Sequence, residues 1–151
     1  MLSLQARGRI DIRKAARAFG VLLLVLGFIG FIPGPVRDYD YLAAGGHNAG
    51  WLLLDTFQVS PLHNALHLLI GWAGLRLAGS VRGAWHFLLC GGFAYLALCI
   101  FGRMTNKFRS MPLNNADDWL HLFLGATMIG LALLLAGGCR RPAVRGASRD
   151  A

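Results

Sequence analysis

Glutamate is missing from this chain: its seven acidic residues are all aspartate, and charged residues of either sign make up only 15% of its 151 positions. Ordinary soluble chains carry about a quarter. The shortage matters because the net charge of +8 and the pI near 10.5 would otherwise suggest a nucleic-acid binder. With so little charge, the composition argues against that class and against a soluble enzyme, and for a protein of the bilayer. Cysteine is also scarce. Cys90 and Cys99 are nine positions apart, on opposite faces of one helix, and Cys139 stands at a basic rim, so no disulfide framework is expected. There is no G-x-S-x-G, no H-E-x-x-H and no phosphate-binding glycine loop. Five histidines are too few for desaturase-type histidine boxes, and the chain is expected to be non-enzymatic.

What the chain has in quantity is apolar sequence, 56% of it. A helix needs about 20 largely apolar residues to cross the hydrocarbon core. Uncharged windows of that size occur at 18–36, 56–75, 83–102 and 119–139. The expectation is an all-α membrane protein in which these four spans form one domain over residues 1–139. The exit of the first window, Ile32-Pro33-Gly34-Pro35, offers no small-x-small cleavage site, so an uncleaved first span is expected rather than a signal peptide.

Translocation leaves Lys and Arg preferentially on the cytoplasmic side. With both termini inside, eleven of the fifteen basic residues are cytoplasmic, against Asp11 and Asp150. Arg37, Arg103, Lys107 and Arg109 face outward with the other five aspartates. The basic excess therefore reads as topology, in the cytoplasmic membrane with both termini cytoplasmic and a rim that favours anionic headgroups. Between spans one and two, Tyr39, Tyr41, Trp51 and Phe57 suggest a short interfacial helix in the outer loop around Gly50–Phe57. The tail from Arg140, rich in Arg, Gly, Ala and Ser, is expected to be disordered.

An internal echo carries the most information. Pro61-Leu62-His63-Asn64-Ala65-Leu66-His67-Leu68-Leu69-Ile70-Gly71 aligns without gaps to Asn115-Ala116-Asp117-Asp118-Trp119-Leu120-His121-Leu122-Phe123-Leu124-Gly125, sharing Leu-His-Leu-x-x-Gly. Both copies open spans that enter from outside, so the four spans are expected as two repeated hairpins. His63 and Asp117 would share one depth, and His67 and His121 another. Ser60-Pro61 and Asn114-Asn115 read as helix starts, which offers Asp117 and Asp118 a wholly structural role at the positive end of a helix dipole and in a capping box.

These two motifs, with the preceding Phe57-Gln58-Val59-Ser60, resemble a bacterial membrane-protein family called domain of unknown function 4383, over roughly residues 50–135. The resemblance implies a four-helix membrane architecture and brings no established activity. Where that family tends to have Asp-Asn before its last Leu-His, this chain has Asp117-Asp118.

Ionisable groups in a span usually face the bundle interior and find partners. Positions i and i+4 share a helix face, which stacks His63 over His67 and Asp117 over His121. Asn64, Asp118 and His47 are available around them. Three readings fit. The leading one is a hydrogen-bonded clasp in which Asp117 and Asn64 satisfy the histidines, making the chain a structural or accessory protein. The next is a divalent-metal site on His63, His67, Asp117 and His121, because neutral imidazoles plus a carboxylate suit zinc or a similar ion. The third is a b-type haem between His67 and His121. The last two would make the chain a redox or transport component, and protonation of the same histidines would make it a sensor. His86 beside Trp85 reads as an interfacial anchor. Partners are expected to be lipid, a second copy or another membrane protein, and not nucleic acid. Gly27, Gly30, Gly34, Gly71, Gly74, Gly91, Gly92, Gly125 and Gly130 are expected to permit close helix contact.

Overall fold

A computed structural model describes residues 2–33, 35–37, 51–105 and 114–136. Four helices dominate it: α1 (Leu2–Ile29), α2 (Pro61–Leu77), α3 (Val81–Thr105) and α4 (Asn115–Ala136). Between α1 and α2 stand three short strands, β1 (Val36–Arg37), β2 (Trp51–Leu53) and β3 (Phe57–Val59), in an antiparallel sheet of order β1-β2-β3.

The helix ends follow local chemistry. Helix α1 starts well before the expected 18 and takes in the basic stretch. It stops at Ile29 because Pro33 and Pro35 have no amide to extend it, and Phe31 and Ile32 tighten into i→i−3 bonds to Phe28 and Ile29. Ser60 caps α2, its hydroxyl accepting from the His63 amide at 3.2 Å, with Pro61 at the first helical position. The span expected from 56 thus begins at 61, its first residues going to β3 and the cap. Ser80 receives the Gly83 amide at 2.9 Å at the start of α3. Helix α4 begins at Asn115, ahead of the expected 119. The tail from 140, and the last residues of the expected fourth span, lie outside the described residues.

The expected interfacial helix is corrected to a β-hairpin over its described part. Leu53 pairs with Phe57 and Trp51 with Val59, and the turn between them holds Leu54 and Asp55 at φ of 53° and 55°. Two successive left-handed residues stop any right-handed helix. Alternation in Phe57-Gln58-Val59 was the signal: Val59 is buried with Leu53 and Val36 against Ile29 and Phe57, making a small apolar core under the sheet.

The tightest helix packings are α1 against α2 and α3 against α4. Both crossings are made by glycine. A Cβ on Gly71 would stand 2.7 Å from the Gly20 carbonyl, and one on Gly125 2.8 Å from the Gly92 carbonyl. Gly71 and Gly125 are the last residues of the shared Leu-His-Leu-x-x-Gly motif. Gly20 was not among the glycines expected to pack, whereas Gly130, which was, has nothing within 4 Å. The main core joins Ile12, Ala16 and Leu23 of α1 to Phe87, Leu88 and Tyr95 of α3 and Leu124, Met128 and Ala132 of α4. Helix α2 contributes differently, since its buried residues are His63, Asn64, His67, Gly71 and Gly74. At the opposite end, Arg13 donates its Nε to the Ala78 carbonyl at 3.1 Å, a cation at the C-terminus of α2.

Among the described residues, two helical stretches, Val81–Phe101 and Asn115–Ala136, are long and apolar enough to cross a membrane.

Candidate functional site

Three histidines meet at the end of the bundle that carries the sheet. His63 and His67 stack one turn apart on α2 with ring centroids at 4.5 Å, as the spacing predicts. His121 of α4 closes on His63 at 5.6 Å. One ligand atom from each of the three lies within 4.8 Å of the others, and the side chains are 5%, 7% and 1% exposed in chain order.

The aspartates do not join this group. Asp117 is expected over His121; instead its Oδ2 accepts the Asn114 amide at 2.9 Å, while Asn114 Oδ1 accepts the Asp117 amide at 3.0 Å. This is a reciprocal capping box at the start of α4. The same Oδ2 takes the Gln58 amide of β3 at 3.1 Å, and Asn114 Nδ2 donates to the Thr56 carbonyl at 2.7 Å. Asp117 therefore latches the sheet onto α4. Asn64 is also turned away from the imidazoles, donating Nδ2 to the Gly30 carbonyl at 2.7 Å and so pinning α2 to α1. Asp118 is buried one turn before His121. His47 lies outside the described residues.

Unsatisfied polar atoms concentrate here. Among the described residues, His63 Nδ1, His121 Nδ1, Asn64 Oδ1, Asp118 Oδ1 and the Tyr95 hydroxyl are buried without a hydrogen-bond partner. Leaving one such group unpaired costs roughly 1–3 kcal/mol, so five on neighbouring turns of three helices call for a specific explanation. A cavity of ≈ 20 Å³ adjoins two of them, His63 and Asn64, and is lined also by His67 and Asp117, with Leu53, Phe57 and Val59 of the sheet among its apolar walls.

Tyr95 escaped the motif search. It lies in the middle of α3, 2% exposed, stacked on His67 at 6.3 Å and tilted against His121 at 5.5 Å. The available signal was a lone phenol inside an uncharged 20-residue run, where a polar tip needs a partner. His86, by contrast, is exposed, edge-on to Trp85 at 5.0 Å, with Nδ1 2.8 Å from the Arg82 carbonyl and no part in the cluster.

Searches of curated proteins and of solved structures each return no match. A family profile does match, across residues 13–134, taking in α2, α3 and the sheet and most of α1 and α4. The chain therefore belongs to the family described as domain of unknown function (DUF4383).

Proposed function

We propose that this chain is a four-span protein of the cytoplasmic membrane that holds one divalent transition-metal ion on His63, His67 and His121 near its outward end. The observation that carries the metal reading is the convergence of three buried imidazole donors within 4.8 Å, two of them with an unpartnered Nδ1. Two histidines four apart on one helix and a third from another element are a recurrent zinc arrangement. Nitrogens around a tetrahedral ion with bonds of about 2.0 Å are about 3.3 Å apart, so side-chain rotation of an ångström or so brings the three into register.

The clasp reading loses its support because Asp117 and Asn64 spend their hydrogen bonds on backbone groups of Gln58, Asn114 and Gly30. The haem reading is poorly served by a cavity of ≈ 20 Å³, which suits an ion or a water and not a porphyrin.

Four spans are supported by an apolar exterior on every helix. Phe28 of α1, Leu69 and Trp72 of α2, Phe93 and Ile100 of α3, and Phe123 and Leu134 of α4 are all exposed, while the polar groups lie inside. Soluble monomers rarely present apolar surface this continuously. Helix α2, at 17 residues, is at the short end of spanning length, and Arg76 lies over the Trp72 ring at 5.7 Å, an interfacial pairing. The loop charges favour both termini in the cytoplasm, and the equivalent glycine crossings support two repeated hairpins.

Elemental analysis of protein purified in detergent and incubated with zinc tests the metal reading. One ion per chain is expected, lost in His67→Ala and His121→Ala variants that still unfold cooperatively. Unchanged zinc content in both variants, or none in the parent chain, would overturn it.

A further inference from the structure

We infer that the ion keeps an exchangeable fourth position, occupied by a water molecule in the cavity beside His63 and His67 and open to small anions. The inference rests on the three-histidine reading above and concerns what completes it. A fourth side chain would make the site closed and structural, whereas a water makes it open to exchange and to Lewis-acid chemistry.

The obvious fourth ligand is Asp117, which borders the same cavity. Its Oδ2 already receives two backbone amides, those of Asn114 and Gln58. Swinging it onto the ion would undo the α4 cap and the latch on the sheet together. Asp118 is no better placed, since neither aspartate belongs to the group of mutually close donor atoms. The Tyr95 phenol presents its ring to His67 and His121 and, like His121, is not among the cavity walls.

The cavity itself matches a water. A buried water needs about 10–15 Å³ and two to four polar partners. The ≈ 20 Å³ space is walled by four polar side chains, His63, His67, Asn64 and Asp117. Asn64 borders this space too, although its amide lies against Gly30 at the end of α1, with Nδ2 on the Gly30 carbonyl. Leu26, Leu53, Phe57, Val59 and Leu120 supply the apolar walls, from α1, the sheet and α4. The chamber is therefore close to the size of one water, so at most a slender anion enters it end-on and bulkier ligands are excluded.

Cobalt(II) in place of zinc makes the coordination sphere visible through its d–d bands. The full chain in detergent is loaded with cobalt alone and titrated with azide. A saturable shift of the bands is expected, and Leu120→Phe, which fills the cavity, should abolish the shift while retaining one cobalt per chain. If cobalt binds through the histidines but its spectrum ignores azide, the site is closed and this inference fails while the metal reading stands. An azide response unchanged in a Leu120→Phe protein that keeps its cobalt also overturns it, because the ligand then enters elsewhere. If no cobalt binds, both readings fail.

Discussion

His63 and His121, on two helices that share no short connection, bring their rings to 5.6 Å while each keeps its Nδ1 free of any hydrogen bond. Two buried imidazoles placed side by side yet unbonded contribute little as a clasp. Interhelical side-chain hydrogen bonds in membranes average only about 0.6 kcal/mol even when made. On the metal reading proposed above, their value lies in what an ion bound between them would gain.

Removing any one of the three histidines should therefore act on ion affinity more than on folding. Single alanine variants at 63, 67 and 121 are expected to lose at least about 100-fold in zinc affinity, more than the 10–100-fold typical of supporting residues. Thermal unfolding without metal should change far less. Added zinc should raise the unfolding temperature of the parent chain only, because a ligand bound to the folded state alone stabilises it by mass action. Equal unfolding temperatures with and without zinc in the parent would contradict this.

Acid should release the ion. A histidine nitrogen must be unprotonated to coordinate, so protons compete with the metal and occupancy falls as pH drops. Loss is expected to be progressive as the medium is made more acidic, and it should be reversed by neutralisation with added zinc. Dialysis at stepped pH followed by metal analysis measures it.

Asp117→Ala should destabilise without emptying the site. The variant loses one half of the α4 capping box and the bond from Gln58, and capping losses run at about 0.5–2 kcal/mol. Asp117→Asn keeps an acceptor oxygen and should recover most of that difference. Chemical denaturation followed by circular dichroism gives the comparison; alanine and parent proteins of equal stability would rule out the capping role.

The glycine crossings should be intolerant. Gly71→Ala and Gly125→Ala place a methyl under 3 Å from a facing carbonyl oxygen, so the helix pairs must spread apart, whereas Gly130→Ala meets open space. The first two are expected to lower the unfolding temperature clearly, and the third to leave it unchanged or raise it slightly through helix propensity. A Gly130→Ala loss as large as the other two would refute the packing argument.

Sidedness has a direct test. Thr56, exposed in the turn between β2 and β3, is expected to face outward. In a cysteine-free background, Thr56→Cys should react with a membrane-impermeant maleimide on intact cells. Reaction only after permeabilisation would invert the topology.

Much of this was readable from residue order alone. Uncharged runs marked the four helices because period and hydropathy are local properties, and Ser60-Pro61 and Asn114 marked two helix starts because caps act within three residues. The pairing of His63 with His67 followed from helical geometry. Equally local, but missed, was the strand alternation of Phe57-Gln58-Val59, hidden inside an aromatic-rich segment that also fits an interfacial helix.

Decisions about long-range geometry needed the assembled fold. Asp117 carried the same sequence credentials as a ligand that the histidines did, and what separated them was the arrival of the Gln58 amide from a strand some sixty residues away. Asn64 was likewise claimed by Gly30. Tyr95 entered the cluster only because α3 and α4 cross at Gly92 and Gly125 closely enough to bring α3 side chains against His121. A sequence specifies which groups need partners, since that depends on each residue's own chemistry; which partner each one finds depends on the crossing of backbones, and here the crossings left three imidazoles for one another.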